Sequence, residues 1–179
     1  MRLKSGSVIF IMHHDSKLSR LIAWFMGTKW CHSALVVETS RREIWLSETT
    51  DTQVAYGAFT RYFYDPNCSF EAFEPLDCTK KEQGKCIEAA KQNVGRLYAY
   101  HQLLSWALSC LLARAGFKLK NLLPYGLICN SHVLTGIRCF KSGPFYNIKP
   151  QSIHTGQMYE LMKKSKAWKS VWAVNNGGC

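Results

Sequence analysis

Residues 28–38 read Thr28-Lys29-Trp30-Cys31-His32-Ser33-Ala34-Leu35-Val36-Val37-Glu38. From His32 onward the run is β-branched and apolar, which predicts a strand over 32–38 with a histidine at its opening. Two further runs flank it. SVIFIM (7–12) predicts a strand after Gly6, and EIWLSE (43–48) predicts another, with Arg41-Arg42 in the turn between. A short strand is expected around Val54, and SFEAFE (69–74) alternates with period two ahead of Pro75. Between the first two strands, Asp15 or Ser16 can cap a helix reaching about Met26. Leu18, Leu21, Ile22 and Phe25 share one face, Gly27 stops the helix, and Trp24 and Phe25 are expected in the core.

Helices dominate the rest. Thr79-Lys80-Lys81-Glu82 fits a capping box, in which hydroxyl and carboxylate satisfy the first amides reciprocally. That helix should reach Val94 and stop at Gly95. An apolar helix follows, ending at Gly116, then a basic loop through Lys118 and Lys120 to Pro124-Tyr125-Gly126. Another helix starts near Cys129, buried through Val133, Leu134 and Ile137. Pro150 suits the start of a short helix through about Met162, and a Lys-rich tail carrying Trp168 and Trp172 follows. Strands first and helices later predict an α+β class: a small antiparallel sheet or barrel packed against helices. The expectation is one domain over 1–174, with 175–179 as a flexible tail.

The 179 residues are 47% hydrophobic and 13% aromatic, enough for a packed core, which excludes disordered and collagen-like classes. The formal net charge of +11 favours anionic surroundings: nucleic acid, an acidic cell-wall polymer or an anionic membrane surface. No zinc finger, RNP-like aromatic run or basic heptad helix is present, so no specific nucleic-acid partner is expected. No apolar leader follows Met1, which predicts a cytoplasmic protein, viral or phage-associated or peripheral to a membrane. The 17 residues Leu97–Ala113 lack Asp, Glu, Lys and Arg. They fall short of the ~20 that span a bilayer and include His101 and Gln102, so a buried helix or one docking on lipid is expected. Of the eight cysteines, Cys31, Cys68, Cys78, Cys86, Cys110, Cys139 and Cys179 read as reduced thiols. There is no Cys-x-x-Cys, and Cys129-Asn130-Ser131-His132 has no matching second half. No metal or cofactor is therefore expected.

Cys129 stands apart from the other thiols. At a helix start the peptide dipoles favour its thiolate, the nucleophilic form. His32 is a candidate base held on a rigid strand. Glu48, ending the neighbouring strand, can accept the second imidazole N–H and fix its tautomer. Ser47 and Thr49 are alternative orienting groups, on the opposite face from Glu48 by strand alternation. Taken singly, all three have ordinary readings: a packed thiol, a satisfied structural histidine, a solvated strand-end charge. His132 can tune the thiolate or be a surface or supporting histidine. His13-His14 can line the cleft or shape a turn, and Trp30 can wall a substrate groove.

The order of motifs resembles the circularly permuted branch of the NlpC-like papain-fold enzymes. That branch includes YiiX-like bacterial and viral hydrolase-like proteins and, more distantly, lecithin:retinol acyltransferase. The resemblance runs over about residues 5 to 160. It rests on Gly6-Ser7-Val8-Ile9-Phe10, TKWCHSALVVE, WLSETT, the helix entry Gly95-Arg96-Leu97-Tyr98-Ala99-Tyr100, GLICNSHVL and IKPQSI. It implies a permuted papain-like fold with His before Cys, and the roles His32 base, Glu48 orienter and Cys129 nucleophile. The Cys129 N–H would be an oxyanion donor. It implies an amide hydrolase acting through a thioester, such as on peptidoglycan peptide cross-links, or a lipid acyltransferase or esterase. A non-catalytic binding protein on the same scaffold is the rival. Peptide or lipid acyl groups are the expected substrates. Two positions depart from the pattern: Ser7 where Asp is frequent, and Asn130-Ser131-His132 where Ser-Glu-Leu precedes Val133.

Overall fold

In the computed structural model, which describes residues 2–40, 42–99, 105, 108–109, 111–113, 115–116 and 128–176, six strands make one sheet. They are β1 (Val8–His13), β2 (His32–Thr39), β3 (Ile44–Thr49), β4 (Val54–Ala58), β5 (Cys68–Pro75) and β6 (Trp168–Val174). The order is β4-β3-β2-β1-β5-β6, and every pairing is antiparallel. Five helices lie with both ends among the described residues: α1 (Lys17–Phe25), α2 (Thr60–Phe63), α3 (Lys80–Asn93), α4 (Cys129–Ile137) and α5 (Thr155–Lys164). The class is α+β with an antiparallel sheet packed against helices, as expected.

The two central strands read as unbroken apolar runs because both faces of the sheet are covered. Val8, Phe10 and Met12 of β1 and Leu35 and Val37 of β2 face the layer of α3, α4 and α5. Ile9, Ile11, Ala34 and Val36 face the opposite cluster with Phe59, Tyr62 and Phe70. On the helical side Phe10 packs edge-on to Phe73 and Tyr159. On the other side Phe59, Phe70 and Trp172 stack edge to face. Such aromatic pairs add ~0.5–1.5 kcal/mol each beyond burial.

Helix ends follow local chemistry. The Ser16 side chain accepts from Ser19 N–H at 3.2 Å to start α1. Thr79 and Glu82 form the capping box of α3, and Gly95 takes the positive φ (82°) that ends that segment.

Several expectations need correction. The Trp168–Val174 tail is an edge strand, β6, paired with β5. Its alternation is muddied because Lys169 and Ser170 are both exposed next to buried Trp168. α2 has only four residues, too few to leave a period. The last helix starts at Thr155, not Pro150: His154 caps it, and the Gln157 side chain accepts from His154 N–H at 3.0 Å. Trp24 is 55% exposed, outside the core. Trp30 is 1% exposed and belongs to the core with Phe10 and Tyr159, so it walls no groove. Asn176, placed by sequence in the tail, donates from its backbone to Ser69 Oγ at 2.9 Å and from its amide to Cys68 C=O at 2.9 Å. Residues 177–179, the loop through Pro124-Tyr125-Gly126 and eight of the 17 residues 97–113 lie outside the described residues; 105, 108–109 and 111–113 are helical. Among the described residues, no helix is long and apolar enough to cross a membrane.

α4 sits close to the sheet because position 136 is glycine. A Cβ there would come within 2.7 Å of Leu35 Cδ2 and 3.3 Å of Cys86 Sγ, both fully buried. Gly136→Ala should therefore destabilise the fold by ~1–3 kcal/mol through overpacking. Alanine's better helix propensity, worth ~1 kcal/mol, works in the opposite direction. Urea unfolding decides the sign, and a more stable variant would refute this packing.

Candidate active site

The structure brings His32, Glu48 and Cys129 together. His32 opens β2, opposite Ile11 of β1. Its Nε2 lies 2.9 Å from Glu48 Oε2 on β3, and the Cys129 thiol acts electrostatically on the same ring. With Nε2 on Glu48, Nδ1 is the nitrogen left for sulfur. Cys129 is the first residue of α4, so its N–H is one of the early amides without an intrahelical acceptor. The first residue of α5, Thr155, is also buried here, with Oγ1 3.7 Å from Cys129 Sγ. Two helix N-termini thus converge on one sulfur. Both place positive potential there, which stabilises thiolate.

The electrostatics follow from these contacts. Burial alone would lower the His32 pKa, but hydrogen bonds and charge from Cys129 and Glu48 push it up to about 10. Burial alone would raise Cys129. The hydrogen bond and charge of His32 overcome that, helped by the Thr155 hydroxyl and the Ser33 backbone N–H, and hold the thiol below its ordinary value. Burial likewise works against the Glu48 carboxylate, which is 1% exposed; His32, Tyr62 and Arg61 together hold its pKa down. The arrangement supports an imidazolium–thiolate pair anchored by a buried carboxylate.

Glu48 has partners that the sequence reading missed. The Tyr62 hydroxyl donates to Oε2 at 2.5 Å, and Arg61 Nη2 pairs with Oε1. Burial, then Glu48 itself, raise the Tyr62 phenol, which keeps the donating proton in place. Gly57 on β4 leaves room for this pair: a Cβ would sit 2.9 Å from Arg61 Cζ and 2.9 Å from Glu48 Oε1. Arg61 and Tyr62 lie on the short helix α2, whose four residues leave no hydrophobic period in the sequence. A surface depression lined by His13, Glu48, Thr49, Asp51, Arg61 and Tyr62 opens on this side of the trio.

His132 is neither a surface group nor a partner of the thiol. It is fully buried, with Nε2 3.0 Å from Ser47 Oγ and Nδ1 3.4 Å from the Asn93 amide nitrogen. The amide donates to Nδ1, so the Nε2–H donates to Ser47. Ser47 is thereby committed on the helical face, and Glu48 is the group that meets His32. The departures after Cys129 also find their place. Ser131 Oγ accepts from Ile128 N–H at 2.8 Å, performing the reach-back that an acidic side chain makes in a capping box. The Asn130 amide ties α4 to Ile153 C=O.

No protein-family model matches the chain, and no curated protein matches it. Among solved structures it is similar to one described as metalloprotein yiiX from Escherichia coli O157:H7, DUF1105. The two share 14% sequence identity at a TM-score of 0.56, over 96% of this chain and 98% of that one. The likeness is one of fold.

Proposed function

We propose that the protein is a cysteine-dependent acyl-transfer enzyme of the permuted NlpC-like papain type, acting as an amide hydrolase. The observation that carries this reading is the His32 ring, with Nε2 2.9 Å from Glu48 Oε2 and its charged form favoured by the Cys129 thiol at the head of α4. Cys129 attacks the substrate carbonyl, and the oxyanion forms beside the Cys129 N–H. His32 gives its proton to the leaving amine, and the acyl group stays on sulfur as a thioester. Water, deprotonated by His32, then releases the acid and restores the thiol. Glu48 holds the ring and stabilises its charged form.

A lipid acyl substrate is the second reading. It is favoured by α1, which turns Leu18, Leu21 and Trp24 outward at 61%, 48% and 55% exposure on a chain of net charge +11. Apolar side chains on a basic surface suit an anionic bilayer.

Peptidoglycan-derived peptides and anionic phospholipid vesicles, each incubated with the protein and followed by intact mass, test both. An acyl adduct on Cys129 from one of them names the substrate class. No adduct and no turnover from either would favour a non-catalytic scaffold. In the productive assay Glu48→Gln should lower kcat ~10²–10⁴-fold, the range for losing a histidine-orienting carboxylate. Unchanged kcat would remove Glu48 from the mechanism.

A further inference from the structure

A second cluster of chemistry-bearing side chains lies beside the trio. The β1–β5 register places His13, the last residue of β1, opposite Cys68, the first of β5. His13 Nδ1 is 3.0 Å from Cys68 Sγ, and Cys68 Sγ is 3.2 Å from Asp65 Oδ2. The three donor atoms all lie within 4.8 Å of one another. Asp65 is held by a turn in which its Oδ1 accepts Asn67 N–H at 2.8 Å and its C=O accepts Cys68 N–H at 3.1 Å, which leaves Oδ2 aimed at sulfur. From the other side, Asn176 holds the Cys68 carbonyl at 2.9 Å.

We infer that His13, Asp65 and Cys68 form a binding site for one divalent transition-metal ion of the zinc class. The donor set decides the class. Thiolate and imidazole suit zinc-like ions and not the hard cations magnesium or calcium, and the carboxylate completes a mixed S, N, O triad. The spacing fits: metal–sulfur and metal–nitrogen bonds of ~2.3 and ~2.0–2.1 Å at tetrahedral angles put S and N ~3.6 Å apart, so the ligands need to spread by only about half an ångström. On binding, Cys68 gives its proton to solvent and the metal–thiolate bond forms. The dication is balanced by that thiolate and the Asp65 carboxylate. Three protein ligands leave a fourth position, as in zinc sites that accept water or a substrate atom. His13 also lines the depression that holds Glu48, Arg61 and Tyr62, so the metal would sit in the wall of that cleft. The site is independent of the role of Cys129.

Titration of metal-free Cys129→Ala protein with Co²⁺, read by absorption, tests the site without competition from the Cys129 thiol. One Co²⁺ per chain is expected, with a thiolate-to-cobalt charge-transfer band and the visible bands of a tetrahedral ion. Cys68→Ser in that background should abolish the charge-transfer band. His13→Gln and Asp65→Asn should weaken binding at least ~10-fold, the lower end of what even supporting residues contribute. Cys68 is fully buried, so circular dichroism of the metal-free variants accompanies the titration. Should Cys68→Ser fail to fold, the half-buried His13 and Asp65 variants decide. Absence of the band, its survival in a folded Cys68→Ser protein, or unchanged affinity in both His13→Gln and Asp65→Asn would overturn the assignment.

Discussion

In His32→Ala, alkylation of Cys129 at pH 6 is expected to slow by about two orders of magnitude. A thiol with an ordinary pKa near ~8.5 is only ~0.3% thiolate at pH 6. In the intact protein His32 holds Cys129 below its ordinary value despite burial, while its own pKa rises to about 10 through Cys129 and Glu48. The reactive pair therefore exists from the lowered Cys129 pKa up to about 10, where the imidazolium gives up its proton. The wild-type rate should be level across neutral pH. The variant's rate should climb only through the ordinary thiol range or above it, because burial is then opposed only by the Thr155 hydroxyl, the Ser33 backbone N–H and the helix N-termini. Mass spectrometry must locate the label, since Cys139 is also held below its ordinary value, by a hydrogen bond with Cys86 that outweighs burial. Cys139 is the internal control, unmoved by His32→Ala. Cys129→Ala should remove the fast label and all turnover. A Cys129 no faster than Cys139, or indifferent to His32, would sink the nucleophile assignment.

The second large effect is on stability in acid. Burial lowers the His132 pKa to about 4, and its Asn93 and Ser47 partners match the neutral ring. The unfolded histidine titrates near ~6.5. The sign follows: above ~6.5 neither state carries the proton and stability is whole. As pH falls toward 4 only the unfolded state takes the proton, so stability is lost. At ~1.4 kcal/mol per pKa unit, the loss approaches about 3 kcal/mol. His154, also lowered to about 4 by burial, adds in the same direction. The test is therefore a difference: urea unfolding from pH 7 to 4 in wild type and His132→Gln. The variant should be weaker at pH 7 yet lose less between pH 7 and 4. Parallel curves would mean that His132 is not the buried neutral group described.

What could be read ahead of the structure was what is written locally. β1, β2 and β3 announce themselves because buried strands need continuous β-branched runs, and α3 because its capping box is four residues long. Cys129, His32 and Glu48 were legible because each marks an element end. Elements without a period stayed hidden. α2 is one turn, and β6 mixes lysine with tryptophan because an edge strand buries only part of itself. The metal-ligand triad escaped for another reason. His13 and Cys68 are 55 residues apart in sequence, so no spacing motif joins them.

By itself, then, the sequence determined the α+β class, the antiparallel pairing of the first strands, and the placing of a thiol at a helix start and a histidine at a strand start. Hydrophobic period and capping are short-range properties, and a chain displays them before it folds. Only the tertiary structure decided the partners. It gave Glu48 to His32 and Ser47 to His132, because alternate residues of β3 face opposite sides of the sheet. It set Arg61 and Tyr62 behind the carboxylate, turned Trp24 outward and Trp30 inward, and brought α5 against the sulfur. A buried charge or thiol takes its chemistry from the atoms around it, and those atoms come from distant parts of the chain.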